Sequence, residues 1–307
     1  MSDLPTRVRI CEEGPREGFQ SEPVGIATQD KVALIDALAQ SGLRDIACCS
    51  FVDTTRVPQM ADAEAIAAGL TKRDGVHYTG LWLNRAGFQR ARATKLDLTG
   101  LVVSSASETF GIRNNNRDRA GMQTSQATLM TDYRDAGVDV FSAYVFTAFG
   151  CNFEGAIAPA LVMRAIEGLL QIVENPEVVY LCDTIGSATP SSVERLVAEV
   201  RSRWPDLPLG LHLHDTRGVG MANALVGLQL GIARFDTSIG GLGGCPFAGN
   251  AAAAGNLCTE DLAYLCEEMG IETGLDLNAL IEAAKMAERI VGHALPGKLK
   301  QAGLPVA

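Results

Sequence analysis

The 307-residue sequence has no C-x-x-C pair, no apolar run near the ~18 residues of a membrane span, and only four histidines. Without paired cysteines a structural zinc site is not expected. The stretch MSDLPTRVRICEEG lacks the apolar core of a signal peptide, so the expected location is the cytoplasm and the eight cysteines read as reduced thiols. No G-x-G-x-x-G comes after the first strand-like segment, where the chain reads EEGPREGFQ, which argues against a doubly wound dinucleotide-binding sheet. Internal repeats, linkers and low-complexity segments are also missing. Basic residues are the scarcer charge, 26 Lys+Arg against 36 Asp+Glu, for a net charge of -10. That balance argues against nucleic acid or an anionic membrane as the main partner, but a local basic pocket for a small anionic substrate remains open.

What is present is an alternation. Short apolar, β-branched runs at 7–13, 45–52, 78–83, 100–104, 138–146, 178–182, 209–214 and 234–239 are separated by helical patterns such as QDKVALIDALAQSG, TSQATLMTDYRDAG and SSVERLVAEVRSRW. In the first of these, Val32, Ile35, Leu38 and Ala39 share one face at helical spacing. Eight strand–helix units predict right-handed crossovers and a closed (β/α)8 TIM barrel. The expected organisation is one domain, with the barrel over about 5–245 and a loop and helical extension over about 246–307 capping it.

In such a barrel the chemistry sits at the C-terminal ends of the strands. Those ends are polar here: Glu12, Glu13, Arg16 and Glu17 after the first, Asp183-Thr184 after the sixth, His212-Leu213-His214-Asp215 after the seventh, and GGLGGCPFAGN after the eighth. Side chains alternate along a strand, so His212 and His214 point the same way with Cα atoms about 6.5–7 Å apart, within reach of one divalent cation. The competing assignment packs one imidazole in the core and bonds the other to Asp215. Arg16 and Glu17 form either a surface ion pair or an oxyanion- and carboxylate-holding pair at the barrel mouth. Asp183 either caps its own turn or is an active-site carboxylate. Cys245 sits in a loop with five glycines in eleven residues, either a lid or an incidental surface loop. Arg113–Arg117 reads as a polar loop after the fourth strand, solvated or in contact with a phosphate.

In this order EEGPREGFQSE, SFV…VPQMAD, LCDTIGSATP, HLHDTRGVGMANALVGLQLG and, most specifically, GGLGGCPFAGNAAAAGNLCTEDL resemble the 3-hydroxy-3-methylglutaryl-CoA lyase family over nearly the whole chain. The resemblance implies a TIM barrel that cleaves a 3-hydroxyacyl-CoA to acetyl-CoA and a keto acid such as acetoacetate, with Mg2+ or Mn2+. It implies His212, His214 and Asn256 as metal ligands with Glu17 in the place of the family's aspartate, and Arg16, Cys245 and Asp183 as catalytic residues. Glu12, Gln20, Arg113 and Asn114 become candidates for substrate or CoA contact. A homodimer and a role in leucine degradation are further expectations. Two positions depart from the family pattern: Glu17 is one methylene longer than the usual aspartate, and Ala47 stands where a strand-two glutamate faces the site. Both point to an altered acyl-CoA as the alternative substrate, citramalyl-CoA-like or a longer branched 3-hydroxyglutaryl-CoA-like compound. Condensation instead of cleavage, or a non-catalytic acyl-CoA-binding role, are the remaining alternatives.

Overall fold

The computed structural model describes residues 4–22, 25–244 and 255–305. Its inner wall is eight parallel strands: β1 (Arg9–Glu12), β2 (Asp45–Ser50), β3 (His77–Leu81), β4 (Gly100–Ser105), β5 (Val140–Phe146), β6 (Val178–Cys182), β7 (Leu209–His212) and β8 (Arg234–Thr237). The ladder runs β3-β2-β1-β8-β7-β6-β5-β4, so each strand lies beside its sequence neighbour and β1 pairs with β8. At the remaining seam Asp97 joins β3 to the approach to β4. Its N–H donates to the Tyr78 carbonyl (2.8 Å), and its carboxylate accepts the Tyr78 N–H (2.9 Å). Outside the same seam, Trp82 Nε1 donates to the Tyr133 hydroxyl at 2.6 Å, which donates to the Leu101 carbonyl at 3.1 Å. These contacts close the curled sheet into the TIM barrel that the eightfold alternation predicts.

The two faces of each strand have different work. Ile10, Ile46, Leu211 and Phe235 belong to the core between sheet and helices. Full burial of such side chains stabilises the fold by roughly 1.5–3 kcal/mol each. The alternate residues, among them Cys11, Ala47, Tyr180, His212 and Asp236, therefore turn into the barrel. The outer wall comprises α1 (Thr28–Gln40), α2 (Ala63–Gly69), α3 (Arg85–Arg92), α4 (Glu108–Asn115), α5 (Arg119–Ala136), α6 (Pro159–Leu170), α7 (Pro190–Arg203), α8 (Gly220–Gln229), α9 (Thr259–Glu268) and α10 (Leu277–Val291). Instead of capping an end, α9 packs on α10 and α10 on α1, filling the wall between the last strand and the first. Among the described residues no helix is long and apolar enough to cross a membrane.

One local expectation is corrected. Arg113 and Asn114 are not in a loop but in the last turn of α4. The Ser107 side chain accepts the Phe110 N–H to start this helix, and Asn116, left-handed at φ 53°, ends it.

Glu12 serves the fold. It is fully buried; Oε1 accepts the N–H groups of Gly14 and Ile239 (both 2.8 Å), and Oε2 accepts the Thr259 hydroxyl (2.6 Å). The residue thus ties the end of β1 to the end of β8 and the start of α9. Position 14 must be glycine for this, since a Cβ there would lie 2.6 Å from Glu12 Oε1. Burial raises the Glu12 carboxyl to about 8, against the pull of its three donors. Folding therefore holds a proton that the unfolded chain releases near pH 4.5, and stability contributed at this site falls as pH rises from there to about 8. Glu260, raised by burial to about 7, adds a loss of the same sign. Glu12→Gln keeps the shape and removes the titration, so its melting temperature, measured with chelator present, is expected to fall less than wild type between pH 5 and 8. Parallel curves would contradict the assignment.

Candidate active site

The segment after β1 shapes the mouth of the barrel. Beyond Glu13 the chain enters a π-helical turn, Gly14–Gly18, in which Glu17 N–H and Gly18 N–H both donate to the Glu13 carbonyl (2.7 and 3.3 Å). Pro15 at its start has no N–H to lose. The wide turn places two consecutive long side chains over the same opening, a common use of π-type turns at functional sites.

Arg16 lies between two carboxylates. Its Nε donates to Glu13 Oε2 at 2.7 Å, Nη2 contacts the same oxygen, and Nη1 donates to Glu17 Oε2 at 2.7 Å. The other oxygen of Glu17 turns to the histidines, 3.2 Å from His214 Nε2 and 3.6 Å from His212 Nε2, and accepts from Asn256 Nδ2 at 3.3 Å. His212 ends β7, and His214 lies two residues further along, with ring centroids 5.2 Å apart. His214 is bridged across the backbone to Asn256, which fixes the asparagine beside it. Glu17, His212 and His214 bring one ligand-capable atom each within 4.8 Å of the others.

These residues fit a divalent cation. The donors are two imidazole nitrogens, a carboxylate oxygen and an amide oxygen, a mixed set suited to a metal of intermediate hardness. Asn256 Oδ1 is buried and, among the described residues, accepts no hydrogen bond, as an oxygen reserved for a cation would. Behind them, Asp236 Oδ2 lies 3.1 Å from His212 Nδ1. That carboxylate holds the ring with Nε2 facing Glu17, the arrangement that orients metal-bound histidines. Burial opposes charge on both partners here. Arg16 and the histidines nevertheless hold Glu17 well below the ordinary carboxylate range, and Glu17 and Asp236 raise His212 to about 10.

The remaining candidates are distributed around this centre. Asp183, at the end of β6, accepts the N–H groups of Ser187 (2.7 Å) and Ala188 (3.0 Å), so it caps its own turn. Its burial raises the carboxyl, and His214 is close enough to pull it back. Gln20 accepts the Ser50 hydroxyl at 3.0 Å, at the rim between β1 and β2. Arg113 stands 4.3 Å over the Phe153 ring on the outer rim. Cys245 lies outside the described residues. Sequence alone assigned no role to Asp236, at an inward position of the strand RFDT, or to Glu13, which has the inward parity of Cys11.

Comparison with known proteins gives the family and the fold. The family model described as HMGL-like matches residues 7–287. A hydroxymethylglutaryl-CoA lyase of Bacillus subtilis is 38% identical over 294 residues, 96% of each chain. A 3-hydroxy-3-methylglutaryl-CoA lyase of Danio rerio, described as cytoplasmic, is 38% identical over 299 residues, covering 97% of this chain and 88% of the relative. Among solved structures, the Bacillus subtilis HMG-CoA lyase superposes with a TM-score of 0.92 at 37% identity, over 97% of this chain and 98% of that one. An HMG-CoA lyase of Acinetobacter baumannii, solved with coenzyme A and 3-methylmalate, superposes with a TM-score of 0.88 at 36% identity over 100% of both chains.

His212→Ala and His214→Ala are each expected to lose Mn2+ binding, measured by electron paramagnetic resonance. Asp236→Asn, which leaves the ligand set intact, is expected to weaken binding by about 10–100-fold. Wild-type affinity in Asp236→Asn would remove its orienting role.

Proposed function

The chain belongs to the HMGL-like family and is a carbon–carbon lyase, and from that premise we propose that it cleaves 3-hydroxy-3-methylglutaryl-CoA or a close analogue to acetyl-CoA and a keto acid such as acetoacetate. The observation that carries the reading is the convergence of Glu17, His212, His214 and Asn256 beside Arg16 at the C-terminal mouth of the barrel. Held by those four residues, Mg2+ or Mn2+ would supply Lewis acidity toward the substrate's oxygens.

The protein's own groups divide the rest of the reaction. Cleavage breaks C2–C3 of a tertiary alcohol: the hydroxyl loses its proton, its electrons form the ketone, and the bond's electrons pass to the thioester enolate. Asp183, raised by burial and close to His214, is proposed to take the hydroxyl proton. Arg16, fixed by two carboxylates and only 13% exposed, would face the developing enolate oxygen. Cys245, on the glycine-rich loop, is proposed to return a proton to the enolate carbon. Glu12, Gln20, Arg113 and Asn114 are the candidate contacts for the acyl-CoA. The departures from the family pattern at Glu17 and Ala47 support a second reading, a 3-hydroxyacyl-CoA with a larger group at C3. A single barrel domain acting in the cytoplasm as a homodimer, in leucine degradation, completes the proposal.

Acetyl-CoA release from 3-hydroxy-3-methylglutaryl-CoA is expected with Mg2+ or Mn2+ and to be lost with chelator. Cys245→Ala is expected to keep Mn2+ and CoA binding while kcat falls by roughly 10²–10⁴. Turnover unaffected by chelator would contradict the metal-dependent reading, and wild-type kcat in Cys245→Ala would remove the cysteine from it.

A further inference from the structure

We propose that Glu13 is a positioning residue for Arg16, and through Arg16 for Glu17, and that Ala47 is the small neighbour that makes room for it. Glu13 is buried at the end of β1, and its Oε2 takes both Nε and Nη2 of Arg16. Only Nη1 is left for Glu17, at 2.7 Å. A guanidinium presents a rigid fork that prefers two parallel bonds to a carboxylate. Here one oxygen of Glu13 takes both N–H groups on the Nε–Nη2 edge, so Glu17 is held by one oxygen and its other oxygen is free to face His212, His214 and Asn256. Remove Glu13 and the fork has one carboxylate left within reach. Arg16 then closes on Glu17 with two bonds and draws Oε1 away from the histidine nitrogens.

The strand register supplies the second half. Cys11 pairs with Asp45 and Glu12 with Ile46, so the next step along the two strands sets Glu13 beside Ala47. Ile10 and Ile46 both belong to the outer core, which puts positions 13 and 47 on the inward face together. Adjacent inward side chains in parallel strands compete for the same space. A methyl at 47 leaves it to the Glu13–Arg16 pair, and a carboxylate at 47 would reach the same guanidinium from the neighbouring strand. Cys11 Sγ, 3.8 Å from Glu13 Oε1, closes the underside.

The kinetic arm of the test rests on the proposed lyase activity; the metal-binding arm does not. Mn2+ titration by electron paramagnetic resonance and kcat with 3-hydroxy-3-methylglutaryl-CoA would be measured for wild type, Glu13→Ala, Glu13→Gln and the exchange Glu13→Ala/Ala47→Glu. In Glu13→Ala we expect Mn2+ affinity to fall at least about tenfold and kcat about 100-fold, with KM within about threefold, the split expected when a group acts in the transition state and not in ground-state binding. The exchange variant is expected to regain at least about tenfold in both, which a merely structural role for Glu13 would not produce. Should Glu13→Ala not fold, Glu13→Gln carries the test, since an amide keeps the volume and one acceptor oxygen but removes the charge that makes the bonds to Arg16 about twice as strong as neutral ones. Mn2+ affinity and kcat within about threefold of wild type in Glu13→Gln, or a folded exchange variant no better than Glu13→Ala, would overturn the proposal. If the wild-type enzyme does not turn over this substrate, the lyase reading fails and the Mn2+ titration alone decides the role of Glu13.

Discussion

A single carboxylate, Glu17, joins the two halves of the site. One of its oxygens belongs to Arg16 and the other to the histidine pair, so the guanidinium and the candidate metal ligands are fixed relative to each other by one side chain. The electrostatics demand that arrangement. Glu13 and Glu17 flank one buried guanidinium, and Asp236 lies against His212 behind them, so carboxylates outnumber the fixed cation of Arg16 and the balance falls on the histidines. Burying unpaired charge is costly, and a divalent cation bound between Glu17 and neutral histidines would offset it. The fold then holds these groups in place: the residue after β1 is Glu13, the π-helical turn carries Arg16 and Glu17, β7 and β8 carry His212 and Asp236, and a backbone bridge carries Asn256.

Two kinds of carboxylate stand within a few residues of each other. Glu12 has every oxygen assigned to backbone or hydroxyl donors and joins the first strand to the last. Glu13, one residue on, has the opposite parity and faces the barrel interior, where its partner is a guanidinium. Asp183 lies between these cases. It caps its turn through Ser187 and Ala188, and it interacts electrostatically with His214. Capping does not conflict with the proton-accepting role proposed for it, because a carboxylate pinned by backbone N–H groups is also oriented by them.

Much of this architecture is legible in the sequence, and the parts that are not share a cause. Strand positions emerge from β-branched runs; 178–182 matches β6 at both ends because the strand is buried on both faces and its apolar run has sharp limits. α3 and α4 are not legible, since RAGFQRAR and ETFGIRNN carry too few apolar residues to show a stripe, and side-chain caps from Asn84 and Ser107 start both. In the site, His212 and His214 are visible because two histidines at strand spacing are rare. Asp236 and Glu13 are hidden because their partners are far away in sequence or on the next turn. An inward parity shared with His212 marks both, but that parity becomes meaningful only once the barrel is closed.

The most direct measurement is a crystal structure of the Mn2+-loaded protein with data collected at the manganese edge. One strong anomalous peak is expected, bounded by Glu17, His212, His214 and Asn256, with Asp236 still on His212 Nδ1 and Arg16 still forked on Glu13. A peak elsewhere, or a metal held without Glu17 while Arg16 grips it with both oxygens, would contradict the claim that this one carboxylate organises the site.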